Sequence, residues 1–183
     1  MPRLHLYGPP QLTLDDGRAL PLSAREAALL GWLHLQGPTA RAQLAGLLWP
    51  GGDDAKARAN LRQTLARLRR AAGEVLAEET GVLRLAPDVE LAAGAGGELL
   101  AGLDFDDAPE LGEWLAARRD DARRNRLRER LADAQARLAD GDLDESLALA
   151  DAVLADEPES EQAWRLRMEI CYLRGDRAAG RAV

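Results

Sequence analysis

At 183 residues, the chain can hold one large domain or two small ones, and 46% hydrophobic with 30% charged residues is ordinary for a globular protein. No apolar run approaches the roughly 20 residues needed to cross a bilayer, and the first residues lack the apolar core of a signal peptide. The single cysteine, Cys171, excludes an internal disulfide and a cysteine-based zinc site. We therefore expect a cytoplasmic protein with no membrane partner.

The net charge of −7 is unevenly distributed along the chain. Residues 1–91 carry 11 Lys and Arg against 10 Asp and Glu, whereas residues 92–183 carry 13 against 21. The segment from Ala55 to Gly73 contains six basic residues and no acidic one. Affinity for nucleic acid comes largely from neutralising phosphates, so this clustering favours a DNA-binding element despite the acidic total.

Three short strands are predicted first, over residues 4–7, 11–14 and 18–22, because apolar and polar residues alternate there. Asp15-Asp16-Gly17 is typical of a hairpin turn between the second and third strands. Ser23 with Glu26 three positions later forms a capping-box pattern, which predicts a helix from Ser23 to about Gln36, before Gly37-Pro38.

Two further helices and a hairpin follow. Thr39 is predicted to cap a second helix that runs to Trp49, and Asp53 or Asp54 to cap a third that ends near Ala72. Residues 75–76, 82–85 and 89–91 read as strands of a terminal hairpin. Three strands, three helices and a hairpin predict a winged helix-turn-helix DNA-binding domain over residues 1–91.

Residues 92–97 are the predicted linker, since they are all alanine and glycine and lie where the charge changes sign. Residues 98–183 are predicted to be helical over 111–137, 143–155 and 159–174. Gly141-Asp142 recurs as Gly175-Asp176 after 34 positions, the tetratricopeptide period. Arg137 and Gly180 depart from that pattern. We expect two degenerate repeats, the second cut off by the end of a chain that is a fragment of a longer protein. The predicted fold class is mainly α with small β-sheets: a winged helix-turn-helix domain plus a TPR-like α-helical domain.

The third helix has two faces on a helical wheel. Leu61, Leu65, Leu68 and Ala72 form the stripe expected to be buried. The opposite side carries the residue types that pair with guanine or adenine in the major groove: Lys56, Asn60, Gln63, Arg67 and Arg70. Arg62 and Arg69 lie on a flank and suit phosphates. The alternative is a solvated, arginine-rich face without a ligand.

Two more residues complete the predicted DNA-binding set. Thr64 belongs to it as part of the third helix, and Arg84 lies on the hairpin, where it could enter the adjacent minor groove. The alternative for Arg84 is an ordinary exposed strand residue.

The motifs of residues 3–91 resemble the winged helix of the SARP (antibiotic regulatory protein) family of activators. They are Leu6-Tyr7-Gly8-Pro9, Asp16-Gly17, the Leu29-Leu30 helix, Leu44 to Pro50, and above all the run from Asn60 to Arg70. Residues 98–183 resemble the bacterial transcriptional activator domain that follows it, through Gly97-Glu98-Leu99-Leu100, Glu113-Trp114-Leu115, Arg118-Arg119 and Glu157-Pro158-Glu159.

The resemblance implies a third helix that enters the major groove of double-stranded DNA. It also implies activation through contact with RNA polymerase and its sigma factor, with the loop from Pro50 to Asp54 contributing to that contact. Binding as homodimers on direct repeats near the promoter is implied as well.

No constellation of catalytic residues accompanies these patterns. His5 and His34 are isolated, Cys171 lies in an apolar helix, and there is no phosphate-binding glycine motif. We expect no enzyme, no cofactor and no metal. The competing hypothesis is a protein-interaction scaffold in which the TPR-like helices carry the function.

Overall fold

The computed structural model of the chain describes residues 1–92 and 97–175. These residues form six helices and two small β-sheets, which confirms the predicted mainly α class with small sheets. The chain divides into two compact units, an N-terminal unit, Met1–Arg119, and a C-terminal unit, Asp120–Val183. Within the described ranges, no helix is both long enough and apolar enough to cross a membrane.

The elements of the N-terminal unit follow the predicted order, with one unpredicted strand, β4, between the first and second helices. In chain order they are β1 (Arg3–His5), β2 (Gln11–Thr13), β3 (Ala19–Pro21), α1 (Ala24–Gln36), β4 (Thr39–Ala40), α2 (Arg41–Leu48), α3 (Asp54–Ala72), β5 (Leu76–Glu79), β6 (Val82–Leu85), β7 (Glu90–Leu91) and the start of α4 (Pro109–Ala139).

The first sheet has the strand order β3-β2-β1-β7. The predicted hairpin is present, because β2 and β3 pair antiparallel and Gly17 takes a φ of 81° in the turn between them. Leu4 and Leu12 face each other across β1 and β2, and both are buried. β7 does not extend the terminal hairpin as predicted; it pairs in parallel with β1.

Two of the three predicted helix N-caps are present in the structure. The Ser23 backbone N–H donates to the Glu26 carboxylate at 2.9 Å, and the Asp53 side chain accepts from the Ala55 N–H at 2.9 Å. The prediction for Thr39 is wrong. Thr39 lies in β4, and its hydroxyl donates to the Gly37 carbonyl and accepts from the Trp32 indole instead of capping α2.

The second sheet is the hairpin of β5 and β6 with β4 added at its edge, in the order β4-β6-β5. Thr39 pairs with Leu83, which fixes the start of α2 next to the hairpin. The hairpin turn lies at Thr80 and Gly81, both with positive φ.

The N-terminal unit extends beyond the predicted boundary at residue 91. Residues 93–96 of the predicted linker lie outside the described residues. The chain that follows packs into the hydrophobic core of the N-terminal unit, which we call the first core and which includes Leu4, Leu12, Leu29, Leu30, Leu44 and Leu61. Its buried members there are Leu99, Leu100, Phe105, Ala108, Leu111 and Leu115. Backbone hydrogen bonds also join this segment to the residues that follow β1. The Leu100 N–H donates to the Leu6 carbonyl, and the Gly8 N–H donates to the Glu98 carbonyl. By packing, the boundary therefore lies after Arg119 and not at residues 92–97.

The C-terminal unit contains the rest of α4 with α5 (Leu143–Asp156) and α6 (Glu161–Leu173), close to the three predicted helices. Its core is built from Leu127, Leu131, Ala134, Ala150, Val153, Ala163, Leu166 and Ile170. The hydroxyl of Ser146 is fully buried and donates to the Ala134 carbonyl at 2.7 Å, joining α5 to α4. Gly141 and Gly175 both take positive φ after a helix. Asp176, Gly180 and the end of the second predicted repeat lie outside the described residues.

Candidate nucleic-acid interface

The candidate interface is built on α3, a helix of 19 residues. Asp53 caps its first turn, and Gly73 ends it with a φ of 76° and an N–H donated to the Arg69 carbonyl at 3.0 Å. Leu61 and Leu68 are buried in the first core, and Leu65 and Ala72 pack against it half-buried. The predicted apolar stripe is therefore the side on which α3 packs.

The rest of the α3 surface, which comprises the opposite side and the flanks, is exposed and cationic. Lys56, Arg62, Gln63, Arg69 and Arg70 are exposed, and Asn60 is half-buried. Arg58, which the sequence analysis counted among the basic residues but did not place in the site, is exposed as well. Within the part of the chain that the structure describes, no ion pair or side-chain hydrogen bond engages Lys56 or Arg58, nor Arg62, Arg69 or Arg70. These cations are available to an anionic ligand.

One side of α3 borders a groove of about 410 Å³, which we call the α3 groove. Its lining consists of Trp49, Asn60, Gln63, Thr64, Ala66, Arg67 and Arg70. The structure thus brings together the amide and guanidinium groups that the sequence predicted for one face. Amides and guanidinium groups in one groove can donate several hydrogen bonds to a polar ligand edge.

The other flank of α3 borders a smaller cleft of about 180 Å³, which we call the arginine cleft. Arg62 and Arg69 line it together with Arg41 and Glu78, and its apolar lining includes Leu65, Leu68, Val75, Leu76 and Leu83. Arg62 and Arg69 therefore lie on a flank, separate from Gln63 and Arg70, as predicted.

Arg41 is a cation of this region that the sequence analysis missed. It is the first residue of α2, and its guanidinium donates to the Glu78 carboxylate of β5 at 2.6 Å. The pairing of β4 with β6 and the hydrogen bond from the Arg41 N–H to the Gly81 carbonyl at 2.9 Å bring the start of α2 to the hairpin. No local sequence pattern reports such a pairing, so nothing near Arg41 in the sequence could have indicated its place.

Two of the predicted site residues are placed differently from the expectation. Thr64 is only 7% exposed and lies on the same side of α3 as Leu61 and Leu68, so its burial leaves it little surface for a ligand. Arg67 is exposed but engaged, since its guanidinium donates to the Glu26 carboxylate at 2.7 Å and to the Ser23 hydroxyl at 2.8 Å. Neither residue is an open contact point in the way that Gln63 and Arg70 are.

Arg84 lies on β6 in the hairpin and is exposed, opposite Ala77 of β5. It lines neither the α3 groove nor the arginine cleft. Its position fits both the predicted wing contact and its alternative, an ordinary exposed strand residue.

The loop before α3 forms a third concave surface, a cleft of about 260 Å³. It is lined by Trp49, Pro50, Gly51, Gly52, Asp53, Lys56, Ala57, Asn60 and Asp107. Asp107 also pairs with Arg25 of α1, whose guanidinium lies 5.4 Å from the centre of the Phe105 ring. The loop is therefore next to Lys56, the first cation of α3.

The two histidines lie in separate places. His5 shares a hydrogen bond of 2.9 Å with the Thr13 hydroxyl across β1 and β2, and burial lowers the pKa of His34 on α1. Over residues 1–92 and 97–175, no three or more His, Cys, Asp and Glu side chains are grouped so that they could hold a metal ion. The chemistry that the site offers is the binding of anionic and polar groups by arginine, lysine and amide donors.

In comparisons with known proteins, no family model matches this chain, and no curated protein sequence matches it.

Proposed function

We propose that this chain is a sequence-specific DNA-binding transcriptional regulator, an activator of the SARP type that binds promoter DNA through α3. The observation that carries the proposal is the exposed side of α3, where Lys56, Arg58, Arg62, Arg69 and Arg70 have no protein partner among the described residues. Such an array is costly in self-repulsion and is neutralised by a phosphate backbone, whose counterions are released on binding.

The shape of the helix supports the same proposal. An α-helix with its side chains is about 10–12 Å across, and the major groove of B-DNA is about 12 Å wide. With α3 in that groove, Asn60, Gln63 and Arg70 would face base edges, and Arg62 and Arg69 would face phosphates on one flank. The β5–β6 hairpin would be the wing, with Arg84 directed at the neighbouring minor groove.

Activation would come through RNA polymerase and its sigma factor. The loop from Pro50 to Asp54 is exposed and lies at the start of α3, so it would stay accessible beside bound DNA. A homodimer on direct repeats would place two such loops near one promoter. The TPR-like helices of the C-terminal unit complete the proposed regulator.

The test is selection from a random duplex pool, followed by titration of the selected duplex at several salt concentrations. Arg62→Ala should make the slope of log affinity against log salt shallower by about 0.9, because one phosphate contact is lost. Gln63→Ala should cost about 1–3 kcal/mol and relax the preference at one base position. Arg18→Ala, which removes an exposed arginine from the β2–β3 turn, is the matched control and should change neither quantity. Absence of binding even at low salt would overturn the proposal.

A protein-interaction scaffold is the second candidate, favoured by one observation in the C-terminal unit. Near the end of α6, Met168, Tyr172 and Leu173 are 42%, 81% and 55% exposed. Large exposed apolar side chains on adjoining turns are typical of a surface that binds another protein. If this reading is right, Tyr172→Ser with Leu173→Ser should abolish a protein complex that forms without nucleic acid, and Arg62→Ala should leave it intact.

A further inference from the structure

Arg67 differs from the other cations of α3 because it is held by another helix. Its Nε donates to one oxygen of Glu26 at 2.7 Å, and its Nη2 donates to the Ser23 hydroxyl at 2.8 Å. The Ser23 hydroxyl in turn donates to the second oxygen of Glu26 at 2.7 Å. These bonds close a ring of three side chains, which we call the Ser23–Glu26–Arg67 node. It joins the C-terminal half of α3 to the first turn of α1.

The burial of Glu26 makes this node difficult to open. The Glu26 side chain is 9% exposed, and both of its oxygens accept hydrogen bonds within the node. A buried carboxylate that loses its cation is left with an uncompensated charge in a poorly solvated site. The Nε–H and one Nη2–H of Arg67 are engaged in the node, so the guanidinium edge that they form is closed to guanine, and the direction of the remaining edge is set by Glu26 and Ser23.

We propose that Arg67 is a positioning residue: it fixes α3 against the N-terminus of α1, while its neighbours Gln63 and Arg70 make the contacts to DNA. The inference rests on the proposed function for its DNA part. The orientation of α3 decides which side chains reach base edges, so a residue that sets it governs affinity and specificity without touching the ligand.

The first arm of the test uses the full chain without DNA. Glu26→Gln and Arg67→Gln should each raise the unfolding equilibrium constant about tenfold, the value of one charge-assisted hydrogen bond, and the double variant should be little worse than either. Both single variants should shift the same amide resonances, in the first turn of α1 and around Arg67 in the C-terminal half of α3. Additive effects on unfolding, or resonance shifts confined to the mutated residue, would overturn the inference regardless of the DNA-binding results.

The second arm measures DNA affinity under conditions where every variant is folded. Glu26→Gln removes a negative charge, so attraction to phosphates alone predicts tighter binding, whereas loss of positioning predicts binding that is about tenfold weaker. Arg67→Lys keeps the charge but loses the planar fork, and we expect it to bind as weakly as Arg67→Gln. Neither Arg67 variant should change the salt slope if the residue makes no phosphate contact. Arg70→Gln is the matched control for a residue in contact with DNA, because the Arg70 guanidinium has no partner among the described residues.

The outcomes separate this inference from the proposed function. Tighter binding by Glu26→Gln, or near-native affinity of Arg67→Lys with a shallower slope in Arg67→Gln, would show that Arg67 contacts DNA and would overturn the positioning role alone. Failure of the unaltered chain to bind any selected duplex at low salt would overturn the proposed function. The amide shifts and the unfolding cycle would then still decide whether Arg67 sets the position of α3.

Discussion

At the scale of single residues, Arg119 holds the turn that follows the predicted linker. Its Nε donates to the Leu99 carbonyl at 2.9 Å, and its Nη2 donates to the carbonyls of Leu100 and Leu103 at 2.8 and 3.0 Å. Leu100 has a φ of 49°, a left-handed conformation that is strained for a residue with a side chain. The guanidinium thus satisfies three backbone acceptors around a strained position.

Arg119→Gln should therefore lower the free energy of unfolding by about 1.5–3 kcal/mol, the range for hydrogen bonds that involve a charged group. Urea denaturation followed by circular dichroism measures this directly. Arg124→Gln is the control, since Arg124 lies on the same helix and its ion pair among the described residues is an exposed one with Asp121. Equal losses in the two variants would contradict the role assigned to Arg119.

His34 gives a prediction about pH at the same scale. Partial burial of the imidazole lowers its pKa below the ordinary value of 6.5, so the unfolded chain binds the proton more readily than the folded chain. The free energy of unfolding should be highest above that value and fall as the pH drops below it toward the lower pKa of the folded chain. His34→Gln should weaken this dependence, which urea midpoints at pH 7.5 and 5.5 would show. An identical decline in both proteins would mean that other groups cause it.

At the scale of elements, Gly97 allows the segment after β7 to lie close to the backbone of Gly8, which follows β1. A Cβ on Gly97 would lie 2.7 Å from the Gly8 nitrogen and 3.1 Å from the Gly8 Cα, both backbone atoms that cannot easily move. Gly97→Ala should cost about 1–3 kcal/mol, as overpacking does. Gly46→Ala in α2, where nothing lies within 4 Å, should instead stabilise by up to about 1 kcal/mol through helix propensity. Thermal unfolding of both variants would test the contrast, which a loss of stability in Gly46→Ala would contradict.

The elements that the sequence predicted well are those with local causes. The hydrogen bond that Glu26 accepts from Ser23 and the Asp53 cap depend on residues two or three positions apart. The buried face of α3 is predicted by the helical periodicity of its apolar residues. Thr39 was misassigned because its neighbour in the sheet is Leu83, far along the chain. The same limit applies to the candidate site. Arg41 pairs with Glu78 and Arg67 with Glu26, which are 37 and 41 residues away along the chain. No local sequence pattern predicts pairs at such separations.

At the scale of the whole molecule, composition suggested a division at the alanine- and glycine-rich segment, while packing sets it after Arg119. The difference arises because the first core is incomplete without the residues that follow the segment. Leu99, Leu100 and Phe105 are buried among side chains of β1, α1 and their neighbours, and so are Leu111 and Leu115 at the start of α4. A sudden change in composition marks a change in local flexibility or charge, but only long-range contacts reveal which residues share a core.

This packing predicts different behaviour for two fragments of the chain. Residues 1–119 should unfold in one cooperative transition, whereas residues 1–91 should not, because the shorter fragment lacks six buried apolar side chains of the first core. Burying one large apolar side chain is worth about 1.5–3 kcal/mol, so their combined loss is comparable with the roughly 5–15 kcal/mol that stabilises a domain. Calorimetry and dye binding to exposed apolar surface would measure the difference. A fragment of residues 1–119 carrying Leu100→Asp and Leu111→Asp controls for length and should resemble residues 1–91. If residues 1–91 instead melted cooperatively at the temperature of residues 1–119, the segment after residue 97 would be an attachment to the first core and not part of it.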